Sequence, residues 1–356
     1  MTVLPEDLRA WLADSADGID LGEVPAEEIL PRLAAAGLTR VGIKSELGGT
    51  GGDVVDAVQS VSALAQESLA VAFVLWGHRC YAEFLVQTDN VALRDRQLTR
   101  ILAGEIAGAS ALSNVMKYLA GLEPLQVLAR ETEAALEISG KLPWVTNLRP
   151  QGFFVAAAAD RENGEPTMIV ALSHDDPGVE RSEDLELLGM RSTNTAAVSL
   201  SGVPVQSDRI IAENAEEWLP GVRPTFIALQ CGMAIGLAER ALEEASLFGG
   251  GGRDVLTADI AELRDKLAEA VEALYVGLRN NNFVSHPASL FKLRIRIAQI
   301  VSDAVTLELQ AGGGRCYLSG PGRNFARRWR EAAFIPLITP SVVQLRTVLA
   351  TTRVTI

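Results

Sequence analysis

The sequence predicts an α+β protein in which a helical domain, a domain of antiparallel strands and a four-helix bundle follow one another along the chain. Apolar residues recur at helical spacing up to about residue 106. Short strand-forming runs separated by Gly, Pro, Asn and Asp follow, and helical spacing returns after about residue 216. Because a doubly wound parallel sheet alternates strands with helices, this segregated order argues against one. We therefore expect three domains, at residues 1–106, 107–215 and 216–356.

The N-terminal domain is predicted from amphipathic stretches such as DLRAWLADSA, PAEEILPRLAAAGL and a longer pair that begins at Asp53. The glycine-rich segment ELGGTGGD, Glu46 to Asp53, separates them. Taken alone, this segment indicates a flexible turn before a helix that Asp53 caps.

The middle and C-terminal domains follow from the change of period. The runs GFFVAAAAD, PTMIVALS and AAVSLSGVPV are short and rich in strand-forming residues, which is typical of a small antiparallel domain. Three long helical stretches then predict an antiparallel bundle, a fold that commonly holds ligands between its helices or at subunit contacts.

Composition limits the possible partners and compartments. A net charge of −13 argues against nucleic-acid binding, which needs clustered Lys and Arg. Cys80, Cys231 and Cys316 are far apart and in no CxxC spacing, so we expect no disulfide scaffold and a cytoplasmic location. The first residues lack the features of a signal peptide, and no window approaches about 20 uninterrupted apolar residues, so we expect no membrane span.

Several common cofactor motifs are missing. No GxGxxG follows a predicted strand, and no GxxxxGK[ST] is present. His78, His174 and His286 are isolated in the sequence, so we expect no metal site, and we interpret His78 and His286 as structural or surface residues.

The segment GKLPWVTNL suggests a flat ligand. Strand alternation would place Trp144 and Thr146 on one face and Val145 on the other. A Trp with a hydroxyl two residues later is suited to contact a heteroaromatic ring, although a Trp that fills the core is the ordinary alternative.

Near the C-terminus, PLITPSVVQLR predicts a capped helix start. Thr339 has the side chain of an N-cap, and Pro340 suits the first helical position because it has no N–H to leave unpaired. No charged side chain follows in this segment until Arg346.

Taken together, these motifs resemble the acyl-CoA dehydrogenase family over most of the chain. ELGGTGGD resembles the family's N-terminal glycine-rich turn, and GKLPWVTNL its flavin-contacting strand. LLGMRSTNTAAVSLSGVPV and RPTFIALQCGMAIGLAERALEEA resemble the end of its β domain and the first helix of its C-terminal bundle. QAGGGRCY resembles its Gln-x-x-Gly-Gly turn, and RNFARRWREAAFIP its approach to the last helices.

The resemblance implies FAD, an acyl-CoA or related small-molecule substrate, and a homodimer or tetramer. Arg223, at the head of the first bundle helix, is the implied substrate-binding residue. The Arg-x-x-Phe-Gly segment, which sends an arginine to a neighbouring subunit's FAD diphosphate, is shortened here to LFGGGGR, where Arg253 is the one candidate substitute. The implied cofactor-binding residues are Leu112, Ser113, Trp144, Thr146, Gln310, Gly313 and Gly314.

The family's catalytic carboxylate is the main departure. The family reaction removes a proton from the carbon α to a thioester, while hydride passes to the flavin. The Glu lies in a Tyr-Glu-Gly-Thr run before the last helix or, in some members, at the head of the first bundle helix. Alignment through Gln344 puts Ile338 at the first position, and Val222 corresponds to the second. Glu216 and Glu217 lie upstream of Val222 but out of register, so the identity of any catalytic base stays unknown.

Three functions are compatible with this sequence. The first is a flavin-dependent oxidoreductase that acts on the CH–CH group of an acyl thioester, with a base that the sequence does not identify. The second is a flavin-dependent monooxygenase on the same fold, which needs no thioester base. The third is a non-catalytic partner subunit in a mixed oligomer with a homologue.

Overall fold

A computed structural model describes residues 3–112, 115, 118, 121, 123–132, 136–248 and 252–354, with the backbone only at 352–354. The N-terminal part is helical, as predicted. Asp53 caps α3 in a reciprocal capping box with Asp56, which confirms the predicted cap. The helices are α1 (Glu6–Leu21), α2 (Ile29–Ala35), α3 (Val54–Glu67), α4 (Leu69–Val86) and α5 (Val91–Leu102).

The middle part is one eight-stranded sheet. Of the strand pairings in the described part of the chain, five are antiparallel and two, β1 with β4 and β2 with β4, are parallel, so the antiparallel prediction holds for most of the sheet. The order is β6-β7-β3-β2-β4-β5-β8, and β1 pairs with β4. The strands are β1 (Ala107–Ser110), β2 (Val127–Glu131), β3 (Leu136–Val145), β4 (Phe153–Arg161), β5 (Met168–Ser173), β6 (Val179–Arg181), β7 (Ala196–Val205) and β8 (Ile210–Ala212).

The C-terminal part is helical again, and its first helix packs on the N-terminal part. A Cβ on Gly236 of this helix would lie 2.0 Å from the Ser62 carbonyl oxygen of α3, so only glycine allows this close approach. One hydrophobic core joins both helical parts, and a second core lies within the sheet. The helices are α6 (Ala215–Leu247), α7 (Thr257–Arg279), α8 (Asn282–Ser285), α9 (Pro287–Gly312), α10 (Arg323–Phe334) and α11 (Val342–Val354).

Ion pairs hold the arginine-rich helix α10 against its neighbours. Arg328 pairs with the buried Glu308 of α9 at 2.9 Å from Nε, and Arg327 pairs with the fully buried Glu331 at 3.0 Å. Arg330 reaches Asp20 of α1 at 2.6 Å. The Glu331 carboxylate also accepts the backbone N–H of Leu69 at the start of α4.

By length and mean hydropathy alone, some helices of the described part are apolar enough to cross a membrane, so the expectation of no membrane span stays a prediction. Three segments, Leu69–Val86, Ala215–Leu247 and Arg323–Thr351, reach that length and mean hydropathy. The first two are apolar because they form the core, and their most apolar windows are 94% and 89% buried. The third is 28% buried.

Candidate active site

The end of β3 presents the predicted Trp–Thr pair. Trp144 is 66% exposed, so it does not fill the core, whereas Thr146 is buried. The expected alternation fails here because β3 is irregular between Leu142 and Val145 and ends at Val145. The Thr146 hydroxyl donates to the Thr193 carbonyl at 3.2 Å, which leaves its lone pairs free to accept a hydrogen bond from a ligand N–H.

Helix α4 lies directly against this strand end. A Cβ on Gly77 would be 3.1 Å from the Thr146 methyl carbon, so glycine allows the helix and strand to meet. Asn147, at φ 61°, donates from its side chain to the Gly108 carbonyl, and His78 Nδ1 accepts the Gly108 N–H. His78 also binds the Ile101 carbonyl at 2.7 Å, which supports its structural interpretation.

Next to Gly77, four rings form what we call the aromatic wall: Phe73, Trp76, Phe226 and Phe334. Phe73 stacks on Trp76 at 5.2 Å, and Trp76 meets the edge of Phe226 at 5.2 Å. Phe73 contacts Phe334 at 5.1 Å, and the indole N–H of Trp76 donates to the Phe226 carbonyl. The wall therefore joins α4, α6 and the end of α10 in one rigid contact.

The two positions at which the family has a catalytic carboxylate lie close to residues of the wall along the chain. Val222 lies one helical turn before Phe226 and is 1% exposed, and Ile338 lies four residues after Phe334 and is 4% exposed. Glu216 and Glu217 are exposed, with backbone N–H groups capped by the Asn214 side chain. Neither position holds a carboxylate.

The predicted cap at Thr339 and Pro340 is wrong, because the last helix begins two residues later. The Ser341 N–H donates to the Gln344 side-chain oxygen at 2.6 Å, and the Gln344 N–H donates to the Ser341 hydroxyl at 3.3 Å. This reciprocal pair satisfies the helix start that Thr339 was expected to satisfy. Alignment of the family's Tyr-Glu-Gly-Thr run through Ser341 moves the Glu position from Ile338 to Thr339, whose side chain is also no base.

A buried arginine that the sequence reasoning missed holds this loop. Arg294 of α9 is fully buried and donates to the Ile335 carbonyl at 2.6 Å and to the Gln230 side chain at 3.3 Å. Gln230 in turn donates to the Thr339 carbonyl at 2.7 Å. Burial lowers the pKa of Arg294. The available signal was an arginine on the apolar stripe of FKLRIRIAQ.

Arg223 is the second cation at this site. Its guanidinium lies 5.8 Å from the ring centre of Phe291, and its buried Nε has no hydrogen-bond partner in the described part of the chain. Burial lowers the pKa of Arg223. A half-buried cation that lacks an acidic partner is suited to bind an anionic group of a ligand.

The Gln-x-x-Gly-Gly turn lies at the end of α9. Gln310 is exposed, and Gly313 has φ 56° and ψ −143°, a conformation that side chains rarely adopt. A Cβ on Gly314 would meet no atom within 4 Å, and one on Gly313 would lie 3.5 Å from an Arg253 nitrogen. This open turn beside an arginine has the chemistry of a phosphate site.

These residues fit a flavin in two places. Trp144 offers an open ring and Thr146 a hydrogen-bond acceptor, while Gln310, Gly313, Gly314 and Arg253 suit a diphosphate. Leu112 is 2% exposed and its N–H lies 3.5 Å from the Ser110 hydroxyl, so its side chain is turned into the core. Ser113 lies outside the described residues. No group of three or more His, Cys, Asp or Glu side chains suitable for a metal ion is present among the residues that the structure covers.

Comparison with known proteins indicates the same fold. The family model described as "Acyl-CoA dehydrogenase, N-terminal domain" matches residues 8–105. The solved structure of glutaryl-coenzyme A dehydrogenase with glutaryl-CoA superposes with a TM-score of 0.84 at 18% identity, over 99% of this chain and 96% of that chain. The chain has the acyl-CoA dehydrogenase fold. KijD3 in complex with FMN and an amino-deoxy-keto sugar nucleotide superposes with a TM-score of 0.81 at 17% identity, over 97% and 91% of the chains.

Curated relatives with this fold differ in their named activities. Amino sugar nitrososynthase DnmZ of Streptomyces peucetius is 25% identical over 75% of this chain and 68% of its own length. Acryloyl-CoA reductase (NADH) of Anaerotignum propionicum is 24% identical over 66% of this chain and 62% of its own length. The fold is therefore shared by proteins with different substrates.

Proposed function

We propose that this chain is a flavin-dependent oxidoreductase of the monooxygenase type, acting on an anionic small molecule. The observation that supports it is the lack of a carboxylate at Val222, Ile338 and Thr339. A dehydrogenase needs a base at the α-carbon, whereas a monooxygenase on this fold does not.

When bound and reduced, the flavin, FAD in this proposal, would supply two electrons, so that one atom of O₂ goes to the substrate and the other leaves, with two protons, as water. The protein's own residues contact the flavin, bind the substrate and exclude water. Trp144 covers the ring, Thr146 accepts a ring N–H, and Arg223 pairs with the anionic group of the substrate. Val222, Ile338 and the aromatic wall give this part of the site an apolar lining that excludes water.

The Gln310 turn is retained, and Arg253 lies beside Gly313 although the Arg-x-x-Phe-Gly segment is shortened. Both features support a subunit that shares its flavin with a second copy. In this proposal Arg253 replaces the family's arginine at the diphosphate, and the working unit is a homodimer or tetramer. A separate reductase supplies the electrons.

The test is oxygen consumption by the purified protein with FAD, NADH and a flavin reductase, across compact amines and acids. We expect substrate-dependent oxygen uptake and an oxygenated product. The matched variant Arg223→Gln should raise KM for the anionic substrate at least tenfold and change kcat less, because it removes a binding charge. Substrate-independent uptake across the panel would count against the proposal.

The second candidate is oxidation or reduction of a short acyl thioester, which the similarity to an acryloyl-CoA reductase favours. Anaerobic bleaching of the bound flavin by a short acyl-CoA separates this candidate from the first.

A further inference from the structure

A second cavity lies away from the flavin residues, at the junction of α5 and the β domain. It measures about 300 Å³, the lower end of the range for ligand pockets. We call it the junction cavity. Its polar lining includes Arg96 and Arg100 of α5 and His174 and Arg209 of the β domain, and Phe154 forms its apolar side. None of the residues assigned to the flavin lines it.

Two of its arginines are fixed by acids. Arg96 binds the Asp208 carboxylate at 2.6 Å and the Asp208 carbonyl at 2.8 Å. Arg209 pairs with Asp176 through one terminal nitrogen. Since a guanidinium has five N–H donors, both keep donors for a further partner, in positions that need no reordering on binding.

The third arginine is the least committed. Arg100 lies 5.9 Å from the ring centre of Phe154, and its Nε is 3.8 Å from Glu105, beyond hydrogen-bond distance. Its two terminal nitrogens have no recorded acceptor in the part of the chain that the structure describes.

The acids beside the cavity are already engaged. The Ser173 N–H donates to Asp176 at 2.6 Å, and the Ser173 hydroxyl donates to Asp175, the one carboxylate that lines the cavity. These bonds hold the turn after β5. The acids therefore hold the cavity wall in place. Guanidinium N–H groups without an acceptor remain inside the cavity.

A buried nitrogen adds an independent observation. His174 Nδ1 is buried without a hydrogen-bond partner, and the nearest Asp175 oxygen is 3.9 Å away. Unpaired buried polar atoms are rare and costly, so a partner outside the protein chain is expected at this point.

We propose that the junction cavity binds a small oxyanion, either inorganic phosphate or the phosphate group of a larger metabolite. Three guanidinium groups with free N–H donors and an unpaired imidazole nitrogen surround one small space, and these groups match the acceptors of an oxyanion. Because the lining comes from both the N-terminal helices and the sheet, the bound anion joins these two parts.

The test is a thermal unfolding series with phosphate, AMP and sodium chloride at equal ionic strength, since ionic strength alone shifts charged proteins. We expect Tm to rise by roughly 3 °C at ten times Kd with phosphate or AMP and not with chloride. A larger shift with phosphate assigns the free ion, and a larger shift with AMP assigns a phosphorylated metabolite.

Arg100→Gln should abolish the shift, and Arg100→Lys should keep part of it. The matched control is Arg130→Gln, an exposed arginine on β2 that pairs with Glu162 at 3.6 Å, and it should keep the full shift. Calorimetric titration at low temperature gives the same comparison if Arg100→Gln is unstable. Equal shifts with chloride, or an unchanged shift in Arg100→Gln, would overturn the proposal.

Discussion

Two neighbouring segments of the C-terminal region differ in whether a buried charged side chain has a partner of opposite charge. Two arginines of helix α10 each pair with a buried carboxylate. Arg327 pairs with Glu331 of the same helix, and Arg328 pairs with Glu308 of α9. The loop that follows, residues 335–341, has no carboxylate. There the buried Arg294 donates instead to the carbonyl of Ile335 and to Gln230, and its Nη1 has no hydrogen-bond partner among the described residues.

This difference separates the scaffold from the reaction site. Burial raises the pKa of Glu331 and of Glu308, and the adjacent arginines oppose that shift. The carboxylates in α10 and α9 therefore stabilise the packing of the helices. In the loop, dehydrogenases with this fold need an acid, whereas this chain has Ile338 and Thr339 there.

The largest expected effect comes from adding a carboxylate to the acid-free loop. Thr339→Glu should give flavin bleaching by a short acyl-CoA at a rate at least about 10²-fold above wild type, because general-base catalysis contributes that much. Rapid mixing without oxygen measures it.

Thr339→Gln is the matched control, and Ile338→Glu tests the other alignment. If the acyl-CoA bleaches the flavin of Ile338→Glu but not that of Thr339→Glu, the Gln344 alignment is the right one. Equal rates for Thr339→Glu and Thr339→Gln would show that a base in this loop is not what the chain lacks.

Removal of a carboxylate from the ion-paired side should cost stability. Glu308→Gln leaves Arg328 buried without its counter-charge, so we expect the free energy of unfolding to fall by about 3–5 kcal/mol. Urea unfolding measures it. Glu262→Gln, which removes an exposed acid paired with Lys266, is the control and should leave the unfolding midpoint unchanged. Similar losses in both variants would refute the distinction between buried and exposed pairs.

The next effect is a pH dependence at the strand junction beside the aromatic wall. Burial lowers the pKa of His78 to about 4 from 6.5. The unfolded state therefore binds a proton at a higher pH than the folded state, and stability falls as pH drops from 6.5 to 4, by about 3 kcal/mol in total.

Stability curves of His78→Gln and His286→Gln isolate this contribution from that of the carboxylates. His286→Gln should keep the wild-type slope, and His78→Gln should lose about 1.4 kcal/mol per pH unit of it. The assignment to His78 fails if the two slopes are equal.

The smallest expected effect concerns the aromatic wall. Trp76→Phe keeps a ring between Phe73 and Phe226 but removes the N–H that binds the Phe226 carbonyl, so we expect a loss of about 1 kcal/mol. Trp218→Phe is the matched control, since Trp218 makes a similar bond to the Gln87 carbonyl at the protein surface. A loss several times larger than that in the control would mean that the ring's shape, and not its hydrogen bond, holds the wall.

The sequence predicted the order of the elements because the change from helical to strand spacing is local. It also predicted Asp53 as a cap, because an Asp directly before a helix can accept the helix's first N–H groups. It missed the wall, because Phe73, Trp76, Phe226 and Phe334 come together only through tertiary packing. It placed the last cap at Thr339 because local propensity favoured Thr-Pro, whereas the Gln344 side chain selects Ser341.

The central claim is that the chain has a flavin site without a catalytic base of its own. The direct measurement is an anaerobic titration of the FAD-loaded wild-type protein with a short acyl-CoA, followed by dithionite. We expect FAD to bind, its visible absorbance to persist through the acyl-CoA titration, and dithionite then to bleach it. Stoichiometric bleaching by the acyl-CoA would contradict the account.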